Sequence, residues 1–359
     1  MPRASRLLAL AFLALAFLPG CVPGAADPDL DDDGWVGRAD AELAVACAGL
    51  DPATAPGCAA ADTDRDGDVD GTDVFSLGPD WGRRVCNGSA ALCDRRYDEV
   101  VYPTSHNAFS TWERFTLYFN QWDDLTPQLE HGIRGFMLDA WPFDGDGDGV
   151  VEPGESYLCH SDCAWARRPL DEGLAELRAF LDARPAEVLT IIFESYLAPA
   201  EVAGAFARSG LDAYALPHAP GAPWPTLREM IESGKRLVVL TDRAGAGSAP
   251  WYVPVWSVAF ETHFTAATRD AFSCAPNRGN PANGLFILNH FLTRNASVPG
   301  EAAATNETSY LLARARRCWR ERSRLPNFPT VDFATTGGVV EVSRQLDADF
   351  GAGGGAPPQ

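Results

Sequence analysis

The sequence predicts an α/β fold, a (β/α)8 barrel of the TIM type behind a small acidic, calcium-binding segment. Three observations carry this reading. From about residue 84, short apolar runs alternate with stretches of helical period, the pattern of a mostly parallel sheet. Eight strand candidates fall within about 265 residues, the number and length of such a barrel. Reactive polar side chains stand at the ends of those runs, where barrel enzymes place their chemistry.

The first residues read as an export signal. Arg3 and Arg6 precede an apolar run, Leu7 to Leu18, that is too short to span a bilayer, and Leu18-Pro19-Gly20-Cys21 follows. That tetrapeptide resembles a bacterial lipobox. It implies that residues 1–20 are removed and that Cys21 is lipidated, which makes the chain an exported, membrane-anchored or extracellular protein of bacterial type.

Residues 27–82 hold 15 acidic and 2 basic side chains, so −13 of the formal charge of −20 sits in this segment. Such a surface offers no basic patch to release counterions, which argues against nucleic acid as a partner. The segment carries one pattern twice, 33 residues apart: Asp29, Asp31, Asp33, Gly34 and Asp40, then Asp62, Asp64, Asp66, Gly67 and Asp73. Carboxylates at positions 1, 3, 5 and 12 converge on one hard cation, and Gly at position 6 permits the sharp turn; oxygen-only ligation selects calcium. The pair resembles dockerin repeats, which implies a cohesin-type partner. The plainer expectation is a calcium-stabilised spacer between lipid anchor and barrel.

The barrel is expected over 84–350, with strands at 98–102, 135–141, 156–160, 188–194, 236–242, 255–260, 285–290 and 329–334. A third calcium-like loop interrupts it, with Asp144, Asp146, Asp148, Gly149 and Glu155 in the same register. Leu170, Leu174, Leu177 and Leu181 recur on one helical face that Pro169 starts and Pro185 stops, and a second helix over 226–233 is stopped by Gly234. After Ser105-His106-Asn107 comes an aromatic stretch, Phe109, Trp112, Phe115, Tyr118, Phe119 and Trp122. Part of it has helical spacing, which suits either a lipid-facing rim or a helix packed on the barrel. Residues 351–359 form a Gly/Pro-rich tail.

With Cys21 set aside, eight cysteines are left, an even number that suits an oxidising compartment. Short separations favour Cys47–Cys58, Cys86–Cys93 and Cys159–Cys163, leaving Cys274–Cys318. The sequons at Asn87, Asn295 and Asn306 read as incidental in a bacterial protein.

Five stretches then stand in a telling order: Thr104-Ser105-His106-Asn107, Gly132 to Trp141, Cys159-His160, Val188 to Glu194, and Pro326 to Phe333. Over roughly 98–348 they resemble the phosphatidylinositol-specific phospholipase C X-domain family, a distorted (β/α)8 barrel that cleaves phosphoinositides with two histidines. The resemblance implies that His106 is the base on the inositol 2-hydroxyl, that His160 protonates the departing diacylglycerol oxygen, and that Asp332 orients His106. It also implies calcium held by Asn107, Asp139 and Glu194. One position departs from the family, because Met137 stands where a carboxylate is expected. Arg243 or Lys235 is the expected contact for substrate phosphate or inositol hydroxyls.

Two histidines suit the chemistry on independent grounds. Phosphodiester cleavage removes a proton from a poor nucleophile and delivers one to a poor leaving group, and imidazole titrates where both are feasible. A glycerophosphodiester-type phosphodiesterase is the nearest rival, but it is expected to open with His-Arg and to carry Glu-x-Asp where this chain has His106-Asn107 and Met137-x-Asp139. A catalytically degraded barrel serving as a surface binding protein is the other alternative, resting on Met137.

Overall fold

Eight parallel strands follow one another around a single curled sheet. A computed structural model describes residues 27–358, apart from 64–65, 113, 115–118, 153, 161–162, 165, 244–248 and 295. The export signal, Cys21, Asp64, Phe115, Tyr118 and the Asn295 sequon lie outside the described residues. The strands are β1 (Thr104–Ser105), β2 (Gly135–Pro142), β3 (Ser156–Leu158), β4 (Arg168–Pro169), β5 (Leu189–Ser195), β6 (Leu237–Thr241), β7 (Tyr252–Pro254), β8 (Ala259–Thr262), β9 (Pro276–Gly279), β10 (Leu285–Asn289) and β11 (Phe328–Val331).

The parallel order is β7-β6-β5-β2-β1-β11-β10-β8. Read outward from β1, this is a barrel in chain order, opened between β7 and β8. Among the described residues no ladder joins those two strands, and β9 extends the β8 edge antiparallel. The helices of the barrel region are α3 (Leu125–Glu130), α4 (Leu170–Ala183), α5 (Pro199–Ser209), α6 (Leu227–Ser233), α7 (Ala302–Thr305), α8 (Thr308–Arg322) and α9 (Val339–Ala352), after α1 (Arg38–Cys47) and α2 (Gly71–Ser76) in the N-terminal segment.

Local chemistry sets the element ends. Pro169 precedes α4, whose Leu170, Leu174, Leu177 and Leu181 are all buried. Around α6, Thr226 and Glu229 exchange hydrogen bonds as a capping box, and Gly234 closes the helix at φ +72°. None of the described helices is long and apolar enough to cross a membrane.

Four strand expectations need correction. Residues 98–102 form a 3-10 turn, Tyr97–Glu99, followed by buried extended chain, and the first strand is Thr104–Ser105. Val100 and Tyr102 mimic a strand because both are fully buried, yet they pack beneath the sheet. The 156–160 run is no barrel strand: β3 folds back antiparallel on β2 and pairs with β4. The 255–260 run splits into a 3-10 turn, Val255–Ser257, and β8, so the preceding three-residue β7 went unforeseen. The last strand ends at Val331, earlier than expected. The helical spacing of the aromatic stretch also misleads. Its described part is a loop in which Thr111 bridges Gln121, while Trp112, Phe119, Trp122 and Phe333 pack in a row, edge-on or tilted.

The period of two along each strand sorts side chains between the two sides of the sheet. In β2, Phe136 and Leu138 join the core under the outer helices, whereas Met137 packs with the inner cluster that holds Ile192, Leu240 and Ile287. Met137, Asp139, Ile192 and Glu194 therefore share the inner parity. All four line one cleft.

The three acidic loops fold alike. Position 1 accepts the N–H of position 6 in each: Gly34 to Asp29, Gly67 to Asp62 and Gly149 to Asp144. Position 12 accepts from positions 2 and 9: Leu30 and Gly37 to Asp40, Thr63 and Asp70 to Asp73, Gly145 and Glu152 to Glu155. Each position-6 glycine is left-handed, at φ +90°, +95° and +91°. Among the described residues, carboxylate oxygens gather within 4.8 Å in four sets, Asp29, Asp31 and Asp40, then Asp68, Asp70 and Asp73, then Asp144, Asp146 and Glu155, and last Asp146, Asp148 and Glu152. The second set departs from the expected ligands; Asp64 lies outside the described residues.

The N-terminal segment packs on the barrel. Asp32 reaches Arg184 at 3.2 Å and Gly34 lies against Ala186; just beyond the segment, the Asn87 amide exchanges two hydrogen bonds with the Val188 backbone. These contacts sit at the N-terminal end of β5, the base of the barrel. Disulfides join Cys47–Cys58, Cys86–Cys93, Cys159–Cys163 and Cys274–Cys318, the four pairs that spacing and subtraction favour. Asn87 and Asn306 are spent internally, Asn306 donating to the carbonyls of Asp332 and Thr336, so neither sequon presents a free amide.

Candidate active site

At the opposite end, where the parallel strands finish, a cavity of about 120 Å³ opens among His106, Asn107, Met137, Asp139, Glu194 and Arg278. The β1 run stops at Ser105, and His106 and Asn107 turn out of it, Asn107 at φ +45°. A non-glycine residue in that region is uncommon and is held by its surroundings. Here the Gln121 side chain donates to the His106 carbonyl at 2.7 Å, and the His106 N–H donates to Val331 at 2.9 Å.

The His106 ring is fixed on two sides. Its Nδ1 lies 2.8 Å from Asp332 Oδ1, and its face stacks on Phe291 at 3.8 Å between centroids. Because a carboxylate only accepts, Nδ1 carries the proton and Nε2 keeps its lone pair. His160 follows β3, not a barrel strand, and reaches the same site because β3 folds back along β2, where the Cys159 N–H donates to the Asp139 carbonyl. Its Nε2 lies 3.4 Å from Asn107 Nδ2.

Asp139 and Glu194 are register partners on adjacent parallel strands. Burial, reinforced by Glu194 and Asp242, pushes the Asp139 carboxyl well above the usual carboxylate range. Asp242, which accepts the Ser195 N–H at 3.0 Å, is raised by burial too. Glu194 accepts from the Tyr196 hydroxyl, and that bond is the main reason the Tyr196 pKa rises to about 12. Carboxyl groups crowded with too little positive charge are what a hard cation relieves, and Asn107, Asp139, Glu194 and Asp242 are hard oxygen donors. They are the residues of the cleft that could hold calcium. Met137 adds only an apolar wall.

The two expected substrate contacts separate. Arg243 follows β6 at the mouth, its guanidinium 4.3 Å from the Tyr196 ring centroid. Lys235 precedes β6 and donates to the Ala213 carbonyl, so it sits at the far end of the strand from the cleft. Sequence reading missed Arg278, which lines the cleft between the Trp256 and Phe264 rings and pairs with buried Glu261 at 2.5 Å. It also missed Asn120. No local motif marks either residue. His290, at the end of β10, is structural: it bonds Thr305 and Arg314, and burial lowers its pKa to about 3.

The comparisons with known proteins bear on family and fold. The family model for the PI-PLC X domain matches residues 92–347. A PI-PLC X domain-containing protein of Arabidopsis thaliana is 33% identical over 280 residues, which are 70% of this chain and 62% of that protein, so the chain spans less than two thirds of that relative. PI-PLC X domain-containing protein 1 of Arthroderma benhamiae is 31% identical over 286 residues, 73% of this chain and 89% of the relative. A mutant phosphatidylinositol-specific phospholipase C of Staphylococcus aureus superposes with a TM-score of 0.50 at 14% identity, covering 70% of this chain and 94% of that one, a likeness of fold.

Proposed function

This chain belongs to the PI-PLC X domain family, and from that membership we propose that it is an exported phosphodiesterase acting on a phosphoinositide-type phosphodiester. The observation that carries the reading is the His106–Asp332 pair at the cleft, with His160 brought by the folded-back β3 arm to within 3.4 Å of Asn107, which lines it. His106 Nε2 takes the proton of the attacking inositol 2-hydroxyl, whose oxygen bonds phosphorus. The bond from phosphorus to the diacylglycerol oxygen breaks, and His160 gives that oxygen its proton. The products are a cyclic inositol phosphate and diacylglycerol, and each histidine ends in the state opposite to the one in which it began.

Calcium, when bound, would supply the positive charge that the phosphorane-like transition state needs, held by Asn107, Asp139 and Glu194 with Asp242 beside them. Arg243 and Arg278 are the protein's own cations for phosphate or inositol hydroxyls. The three acidic loops are read as structural calcium sites, and Cys21 as a lipid anchor. The four disulfides support an oxidising, extracellular compartment.

Phosphorus NMR of the products from phosphatidylinositol and from glycerophosphodiesters, with and without calcium, tests the proposal. A cyclic inositol phosphate is expected. A product from glycerophosphodiesters alone would assign the rival chemistry, and no turnover of any diester would leave the binding-protein reading, which Met137 favours.

A further inference from the structure

The inference rests on the two-histidine reading above and adds a residue to it. Asn120 is buried, and its backbone is pinned on both sides: its N–H donates to Ser110 and its carbonyl accepts from the Phe333 N–H, each at 2.8 Å. Its side-chain nitrogen donates to Asp332 Oδ1 at 3.0 Å, the same oxygen that takes the His106 Nδ1 proton. Its Oδ1 accepts from Asn107 Nδ2 at 3.2 Å, and that nitrogen also reaches His160 Nε2. One hydrogen-bond chain thus runs from His106 to His160 through Asp332, Asn120 and Asn107.

The chain has a direction. Asp332 only accepts, so Asn120 must turn its NH2 to Asp332 and its oxygen to Asn107. Asn107 must then present one N–H to Asn120 and the other to His160. A ring nitrogen that receives an N–H carries a lone pair, so neutral His160 holds its proton on Nδ1. We propose that Asn120 is a positioning residue that sets both amide orientations, fixes the tautomers of both histidines, and leaves Oδ1 as the one atom of the Asn107 amide able to face a cation or a substrate hydroxyl.

The test is ¹⁵N-histidine imidazole spectra of the whole protein above the titration range, assigned with His106→Ala and His160→Ala, alongside turnover of phosphatidylinositol vesicles. Both active-site rings are expected in the Nδ1–H tautomer. Asn120→Leu should return His160 to the Nε2–H form and lower turnover roughly 10- to 100-fold, the usual worth of an outer partner. Asn120→Asp, which still accepts from Asn107, should keep the His160 tautomer. A wild-type His160 in the Nε2–H form, or an Asn120→Leu spectrum unchanged from wild type, overturns the proposal; if Asn120→Leu does not fold, the wild-type and Asn120→Asp spectra decide it. The tautomers are read without turnover. An inactive wild type with both rings in the Nδ1–H form would sink the phosphodiesterase reading and uphold the chain, whereas an active wild type with other tautomers would sink the chain alone.

Discussion

At the residue scale the proposed mechanism divides its labour between two imidazoles held in different ways. Asp332 and the Phe291 face fix His106, whereas His160 depends on a short loop closed by Cys159–Cys163 and on Asn107. Replacing either histidine by Ala should lower turnover by roughly 10²–10⁴ with the melting temperature nearly unchanged, the usual worth of a positioned proton-transfer group. Near-wild-type turnover in His160→Ala would remove it from the mechanism. The carboxylates make a second case. With Asp139 held above its ordinary range by burial, Glu194 and Asp242, a bound cation would let these crowded carboxyls ionise and would offset their charge toward substrate phosphate. Calcium is expected to act at the weak end, about 10⁻⁴–10⁻³ M, because Met137 supplies no ligand. Asp139→Asn should abolish activity at low calcium and recover part of it at high calcium, and Met137→Glu should lower the half-activating concentration. Full turnover in chelator by folded protein defeats the idea. His106, Asn107, His160, Asp139, Glu194 and Asp332 were legible because each stands in an extended local motif. Asn120 and Arg278 were not, since their roles arise from contacts such as Asn120 to Asp332, 212 positions apart, that only the folded sheet creates.

At the element scale, the strands that were legible are those buried on both faces over several residues. The β6 run Leu237 to Thr241 is buried throughout, and its limits match expectation closely. Two-residue β1 was misplaced because a strand that short has no period, and the run before it is as apolar as a strand. β3 was mistaken for a barrel strand because an apolar run does not disclose whether its partner is parallel. The same hairpin brings His160 beside Asn107, so a misplaced strand still delivers the histidine to the candidate site. Between β1 and β2 the fit is close enough to test. A Cβ on Gly135 would come within 2.2 Å of Thr104 Oγ1, and that hydroxyl is committed to the Tyr102 carbonyl at 2.7 Å. Thr104 is fully buried and the register pairs the two residues directly. Gly135→Ala should therefore destabilise by about 1–3 kcal/mol, the cost of overpacking, read as a lower urea midpoint at unchanged slope. An unchanged midpoint would mean that Thr104 moves aside freely.

At the scale of the whole molecule, chemistry and stability occupy opposite ends of the barrel. The mouth carries the cleft, and the base carries the docked N-terminal segment and a cavity of about 300 Å³ lined by Asp27, Arg95, Arg134, Arg344 and Asp347. Two carboxyls there are forced up: Asp27 to about 7, by burial and then Glu187, and Asp347 to about 8, by burial that outweighs Arg95 and the Val101 N–H. The sign follows from proton linkage. Below the unfolded value of 3.8 both states hold the Asp347 proton, and its contribution to stability is fully present. As pH rises toward about 8, the unfolded chain releases that proton while the folded chain keeps it, so the contribution is progressively lost. The base should thus be firmest in mild acid, with the melting temperature falling from pH 5 to pH 8. Asn at position 347 is neutral throughout and can still accept the Val101 N–H, which Asp347 takes at 3.1 Å. Asp347→Asn should flatten the decline in part, because Asp27, which lines the same cavity, is raised too, and should leave the pH dependence of turnover at the mouth unmoved. Calorimetry at fixed calcium across this range measures both slopes. An Asp347→Asn slope equal to that of the wild type would show that the base stays ionised when folded, and that Arg95, at 3.4 Å, holds the charge after all.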